Sequence, residues 1–160
     1  MAVDMFLKCT DLPGESVDKA YAGSIDVLAW SWGMSQSGTT HAGPGAGAGK
    51  VNVQDISITK YVDKSSPKIQ LFCCNGKHVP TALLVVRKAG TKPLEYIKIT
   101  MSDIIISSVS TGGSGGEDRL TENVSLNFAT VKFEYTPQKA DGSGDTAVPY
   151  TWKIAQNVAG

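Results

Sequence analysis

The segment Ser24-Ile25-Asp26-Val27-Leu28-Ala29-Trp30-Ser31-Trp32-Gly33-Met34 alternates with the period of two that belongs to a β-strand. Strict alternation puts Leu28, Trp30, Trp32 and Met34 on one face, expected to be core, and Ile25, Val27, Ala29, Ser31 and Gly33 on the other. The second face starts apolar and ends small and polar, which is odd for a face that meets only water. The same problem returns at Ile104, Ile105 and Ile106, which leave neither side of their strand polar. A sheet apolar on both faces needs two covers, and this constraint shapes every reading of the chain.

The remaining pattern is also strand-rich, with runs at residues 3–8, 51–61, 81–88, 94–109 and 120–135 and a last short strand that turns Tyr150, Trp152 and Ile154 inward. Two parity changes predict irregularities, a bulge or bend at the first and a bulge at the second. One lies near Gln54-Asp55, where the apolar set moves from Val51 and Val53 to Ile56 and Ile58. The other lies near Ala129-Thr130, where it moves from Val124, Leu126 and Phe128 to Val131, Phe133 and Tyr135. Residues 89–93 read as a hairpin turn. One helix is expected, with Ser66 as N-cap, Pro67 at its first position, Gly76 as its stop, and Ile69, Phe72 and Cys73 on one face. Seven or eight strands and one short flanking helix describe a mainly β protein, a β-barrel or two-sheet sandwich, as a single domain over residues 1–160. A chain of this length buries roughly two thirds of the surface it exposes when unfolded. The helix shields only a small part of a sheet, so the simplest cover for the rest is another copy of the chain.

Fifteen basic residues balance fifteen acidic ones. That neutrality argues against nucleic acid or an anionic membrane surface as partner, since both are usually bound by a clustered basic excess. The first eight residues have an acid at position four and no apolar run of signal-peptide length, so the chain is expected in the cytoplasm unless dedicated machinery exports it. Three cysteines, Cys9, Cys73 and Cys74, are an odd number with an adjacent pair, which does not suit a secreted disulfide framework.

Chemistry has poor raw material. His41 stands in a glycine loop and His78 just before a strand, neither in a nucleophile or metal motif. Cys73 and Cys74 diverge by about 100 degrees on a helix and read as packing. Gly43-Pro44-Gly45-Ala46-Gly47-Ala48 formally satisfies a relaxed dinucleotide pattern, but a strand follows it where the phosphate site needs a helix. Gly49-Lys50 precedes Val51 where a P-loop needs Ser or Thr. The acids Glu117 and Asp118 read as solvated or paired with Arg119. No catalytic residue, cofactor or metal is expected, and the chain reads as a non-enzyme.

The motifs resemble the hemolysin-coregulated protein (Hcp) family, the tube subunit of the bacterial type VI secretion system. The resemblance runs through residues 3–8, the Ile25-Asp26-Val27-Leu28-Ala29-Trp30-Ser31-Trp32-Gly33-Met34-Ser35-Gln36-Ser37 segment and Gly49-Lys50-Val51-Asn52-Val53-Gln54-Asp55. It continues in Lys60-Tyr61-Val62-Asp63-Lys64-Ser65-Ser66-Pro67, in Gly76-Lys77-His78 and in residues 109–124, so it covers essentially the whole chain. It implies a β-barrel with a flanking helix that closes into a hexameric ring, with rings stacking into a hollow tube inside a contractile sheath and behind a spike-tip protein. It also implies export without a cleaved signal, and small effectors carried in the ring lumen.

Joined to the residue pattern, the resemblance puts Ser31 in the channel as a cargo contact, because Ser31 lies opposite the tryptophan face. Residues 38–50, with Gly43, Gly45, Gly47, Gly49 and Lys50, are expected to reach a neighbouring subunit or ring, since glycine lets backbones approach closely. Residues 110–119, with Ser114, Gly115, Glu117, Asp118 and Arg119, are expected near a ring face. Three functional classes stay open from the sequence: a stacking tube subunit, an effector chaperone that remains a single ring, and a monomeric β-barrel enzyme or ligand carrier.

Overall fold

The computed structural model describes residues 2–38 and 49–160. In chain order the elements are β1 (Val3–Cys9), β2 (Ile25–Ser31), β3 (Met34–Ser35), β4 (Asn52–Val53), β5 (Ile56–Tyr61) and α1 (Ser66–Asn75). They are followed by β6 (Val79–Lys88), β7 (Leu94–Thr111), β8 (Thr121–Tyr135), β9 (Val148–Lys153) and β10 (Val158–Ala159). The strands β8, β5, β2, β1, β6 and β7 pair in that order, and β7 pairs back with β8, so six antiparallel strands close a barrel. Closure satisfies backbone groups that open edges would leave free. Two long strands make it possible: β8 pairs with β5 through residues 121–126 and with β9 through residues 130–135, so its far half carries β9 and β10 outside the barrel.

The interior is hydrocarbon, with Ile58, Leu84, Ile99, Met101, Val124 and Leu126 almost wholly buried. Alternation explains it within each strand, but alternation is interrupted. In β2 the buried residues are Ile25 and Val27, not Leu28, and a register shift between Val27 and Ala29 then turns Trp30 inward. The expected core face of 28, 30, 32 and 34 is therefore wrong in part: Leu28 and Met34 are 38% and 48% exposed. The bulge, invisible to a strict period, had made one strand look apolar on both sides.

At Gln54-Asp55, where a bulge or bend was expected, the structure shows the strand interrupted. Residues 52–53 pair with β3 in a separate two-stranded ribbon, and only Ile56 onward joins the barrel. The parity change at Ala129-Thr130 is present, but β7 changes parity at the same level and the β7–β8 register is unbroken there. Asp103, with φ 54°, sits in β7 at that point. Of the last strand, Trp152 and Ile154 pack against the core, whereas Tyr150 is 43% exposed and stacks on Phe133.

The helix forms where expected and lies against β7, burying Ile69 and Phe72. Gly76 ends it in the left-handed conformation at φ 68°, its N–H donating to the Phe72 carbonyl. Its N-cap is Ser65 rather than Ser66, whose hydroxyl is used inside the barrel instead. A second cover was not foreseen. Residues 10–24 fold back over the outside of β1 and β6, where Tyr21 stacks on Phe6 at 4.9 Å and Val85 is fully buried. Part of the second apolar face is thus covered by the chain itself.

Candidate functional site

Downstream of the β2 bulge the outward positions of the barrel wall are small, polar and uncharged. Ser31 is exposed and pairs across the sheet with Ser57. Ser57 Oγ lies 3.3 Å from Ser125 Oγ, and Thr59 Oγ1 donates to Asn123 Oδ1 at 2.7 Å. Ala29, Ser31, Ser57, Thr59 and Asn123 line one shallow depression. The neutral patch ends at Asp55, whose carboxylate accepts from Ser107 Oγ at 2.6 Å and Asn127 Nδ2 at 2.9 Å. Such a wall offers hydroxyl and amide groups to a neighbour with no fixed charge to select its sign.

Sequence reasoning named Ser31 alone. Thr59 and Asn123 were missed, although Ser57-x-Thr59 and Asn123-x-Ser125-x-Asn127 carry the signal, a small polar residue at every second position.

Asn123 also joins this wall to the loop between β7 and β8. A polar hollow lined by residues 110–114, Glu117, Thr121 and Asn123 continues from it, so Ser31, Ser114 and Glu117 share one continuous surface. All of residues 111–120 are exposed. Within the loop the Glu117 N–H donates to the Ser114 carbonyl at 3.3 Å and the Gly116 N–H to Ser114 Oγ at 3.4 Å. Gly115 and Asp118 are exposed. Arg119 does not pair with Glu117 or Asp118; its guanidinium lies 3.7 Å from the centre of the Tyr61 ring.

Gly49 and Lys50 are exposed, and Gly49 runs close beside Ser37. Gly43, Gly45, Gly47 and His41 lie outside the described residues. Met34, Val53, Val131, Tyr150 and Trp152 line an open apolar groove next to the β3–β4 ribbon.

His78 Nδ1 sits 2.6 Å from Asp103 Oδ1 on the surface. Among the described residues no group of three or more His, Cys, Asp or Glu is arranged to hold a metal ion. Cys73 packs at the core edge, Cys74 is exposed, and burial, helped by Asp11, pushes the Cys9 thiol up to about 12. At neutral pH that leaves Cys9 a protonated, unreactive packing group. No helix among the described residues is long and apolar enough to cross a membrane.

Residues 6–135 match the family model described as type VI secretion system effector, Hcp. The protein hcp1 of Pseudomonas aeruginosa is 63% identical over 160 residues, covering 99% of each chain. This chain belongs to the Hcp family. It is a tube protein of type VI secretion, a structural family rather than an enzyme family. Among solved structures, Hcp1 from Salmonella typhimurium superposes with a TM-score of 0.81 at 39% identity, over 99% of each chain. A second, described as a type six secretion system protein, reaches 0.93 at 26% identity over 99% of this chain and 100% of that one. The expected mainly β Hcp fold, barrel and flanking helix, is what the chain adopts.

Proposed function

We propose that copies of this Hcp chain close into a hexameric ring, that rings stack into the secretion tube, and that the wall around Ser31 lines its channel. The observation that carries this reading is the uncharged hydroxyl and amide surface running from Ser31 through Thr59 and Asn123. A channel surface of this kind holds a small effector by many weak hydrogen bonds and lets it go, because no buried charge pair has to be broken. The exposed loop carrying Ser114, Gly115, Glu117, Asp118 and Arg119 then meets the next ring, and residues 38–50 contact a neighbouring subunit or the next ring.

In this reading the partners are further copies of the chain, a contractile sheath, a spike-tip protein and small secreted effectors, with no nucleic acid and no insertion into membrane. The chain is made in the cytoplasm and leaves with the tube without a cleaved signal, and it catalyses nothing itself. Light scattering of the purified protein, followed by electron microscopy, tests the assembly. The expected particle is a ring of sixfold symmetry that stacks; a monomer at high micromolar concentration overturns the reading.

A further inference from the structure

Two segments that carry the family resemblance, residues 60–67 and 109–124, meet in one buried cluster at the barrel rim. Lys60 of β5 and Glu122 of β8 are directly opposite in the strand register and both are fully buried. Lys60 Nζ donates to Glu122 Oε1 at 2.5 Å, to Asp63 Oδ1 at 3.1 Å and to Ser66 Oγ at 3.2 Å. Ser66 Oγ donates to Glu122 Oε1 at 2.6 Å and accepts the Asp63 N–H at 3.0 Å. Ser65 completes the set through its N–H on Asp63 Oδ1 at 2.9 Å. Glu122 Oε2 has no hydrogen-bond partner among the described residues.

Hydrocarbon would fill this space as well. Ile58 and Val124 occupy the next inward positions, and replacing a buried ion pair by apolar residues of similar volume is often neutral or stabilising. Hydrocarbon cannot supply direction. The Lys60 ammonium takes acceptors from three separate segments, the connection after β5, the start of α1 and the start of β8. On the outside of the same wall Arg119 lies over Tyr61, and the Val62 N–H donates to the Leu120 carbonyl at 2.9 Å. The root of the β7–β8 loop is therefore held from both sides of the barrel wall.

We infer that this network is a positioning device: Lys60, Glu122 and Ser66 set the root of the 112–119 loop and the start of α1 on the barrel rim, and so set the surface one ring presents to the next. The inference rests on the reading that this loop makes contacts between stacked rings.

Lys60→Met combined with Glu122→Leu removes both charges without leaving either buried alone. Tyr61→Leu removes the outer clamp and leaves the interior intact. Each variant is compared with the parent for melting midpoint, particle size, stacking by electron microscopy, and amide exchange at Val62, Ser66 and Glu117. Both variants are expected to fold and close rings, with midpoints within about 5 °C of the parent. Exchange at Val62 should rise about tenfold or more in each, and stacking should be impaired.

Unchanged exchange in the folded variants overturns the inference, as does normal stacking despite faster exchange. Loss of the fold in the double variant also overturns it, because the network would then be a stability element. A parent that forms no rings refutes the functional reading instead, while the exchange measurement still decides whether the network holds the loop root.

Discussion

Gly14 shows how one residue can hold a long connection in place. A Cβ added there would lie 2.5 Å from the Ser24 carbonyl oxygen and 2.7 Å from the Ile25 Cα, both backbone atoms that cannot rotate away. The close approach serves a pair of backbone hydrogen bonds, Gly14 N–H to the Gly23 carbonyl at 2.8 Å and Ser16 N–H to the Ser24 carbonyl at 2.9 Å. Gly14→Ala is therefore expected to cost about 1–3 kcal/mol of stability, read as a lower urea midpoint with an unchanged slope. The contrast with Ser31 is instructive. Ser31 is exposed because it lies next to Trp30, which the bulge between Val27 and Ala29 turns inward, whereas the demand on Gly14 arises from Ser24 and Ile25 and leaves no local mark.

At the scale of elements, residues 10–24 act as a cover pinned by one buried guanidinium. Arg87 is 7% exposed, donates to Asp18 Oδ2 at 2.5 Å and Asp4 Oδ2 at 3.2 Å, and lies over the Phe6 ring at 5.0 Å. Asp18 in turn accepts the Ala20 and Tyr21 N–H groups, and Tyr21 hydrogen-bonds Glu95. The hydrogen bond from Arg87 holds the Asp18 carboxyl below its ordinary value of 3.8. A carboxyl whose pKa falls on folding stabilises the fold above its unfolded value, and the contribution is lost as pH drops through the lower folded value. The cover is thus expected to loosen first as pH falls below about 3.8, seen as faster amide exchange at Tyr21. In Arg87→Met that acid dependence should disappear, leaving exchange at Tyr21 fast at neutral pH. A cover built from a loop with no hydrophobic period leaves no signature in the sequence.

For the whole molecule, the closed six-strand barrel separates an apolar inside from an outer wall that is neutral around Ser31. If that wall holds effectors in a ring channel, Ser31→Arg introduces bulk and charge at its centre without touching the core. The expected outcome is rings of unchanged size with retention of a co-expressed small effector reduced at least about tenfold, roughly 1.4 kcal/mol. Unchanged retention in intact rings would remove Ser31 from the contact surface.

Period-two alternation, turn residues and the Ser65-Ser66-Pro67 to Gly76 frame were enough to determine a mainly β chain with one helix, because backbone periodicity and capping are local properties. The motifs were long enough to identify the family. The tertiary structure alone decided which face of β2 is core, since the shift between Val27 and Ala29 shows only in the pairing of β2 with β5. It also decided that Lys60 and Glu122 are buried partners. Each looks like an ordinary surface charge in its own strand, and only barrel closure, which puts two distant strands in register, gives both a reason to leave water.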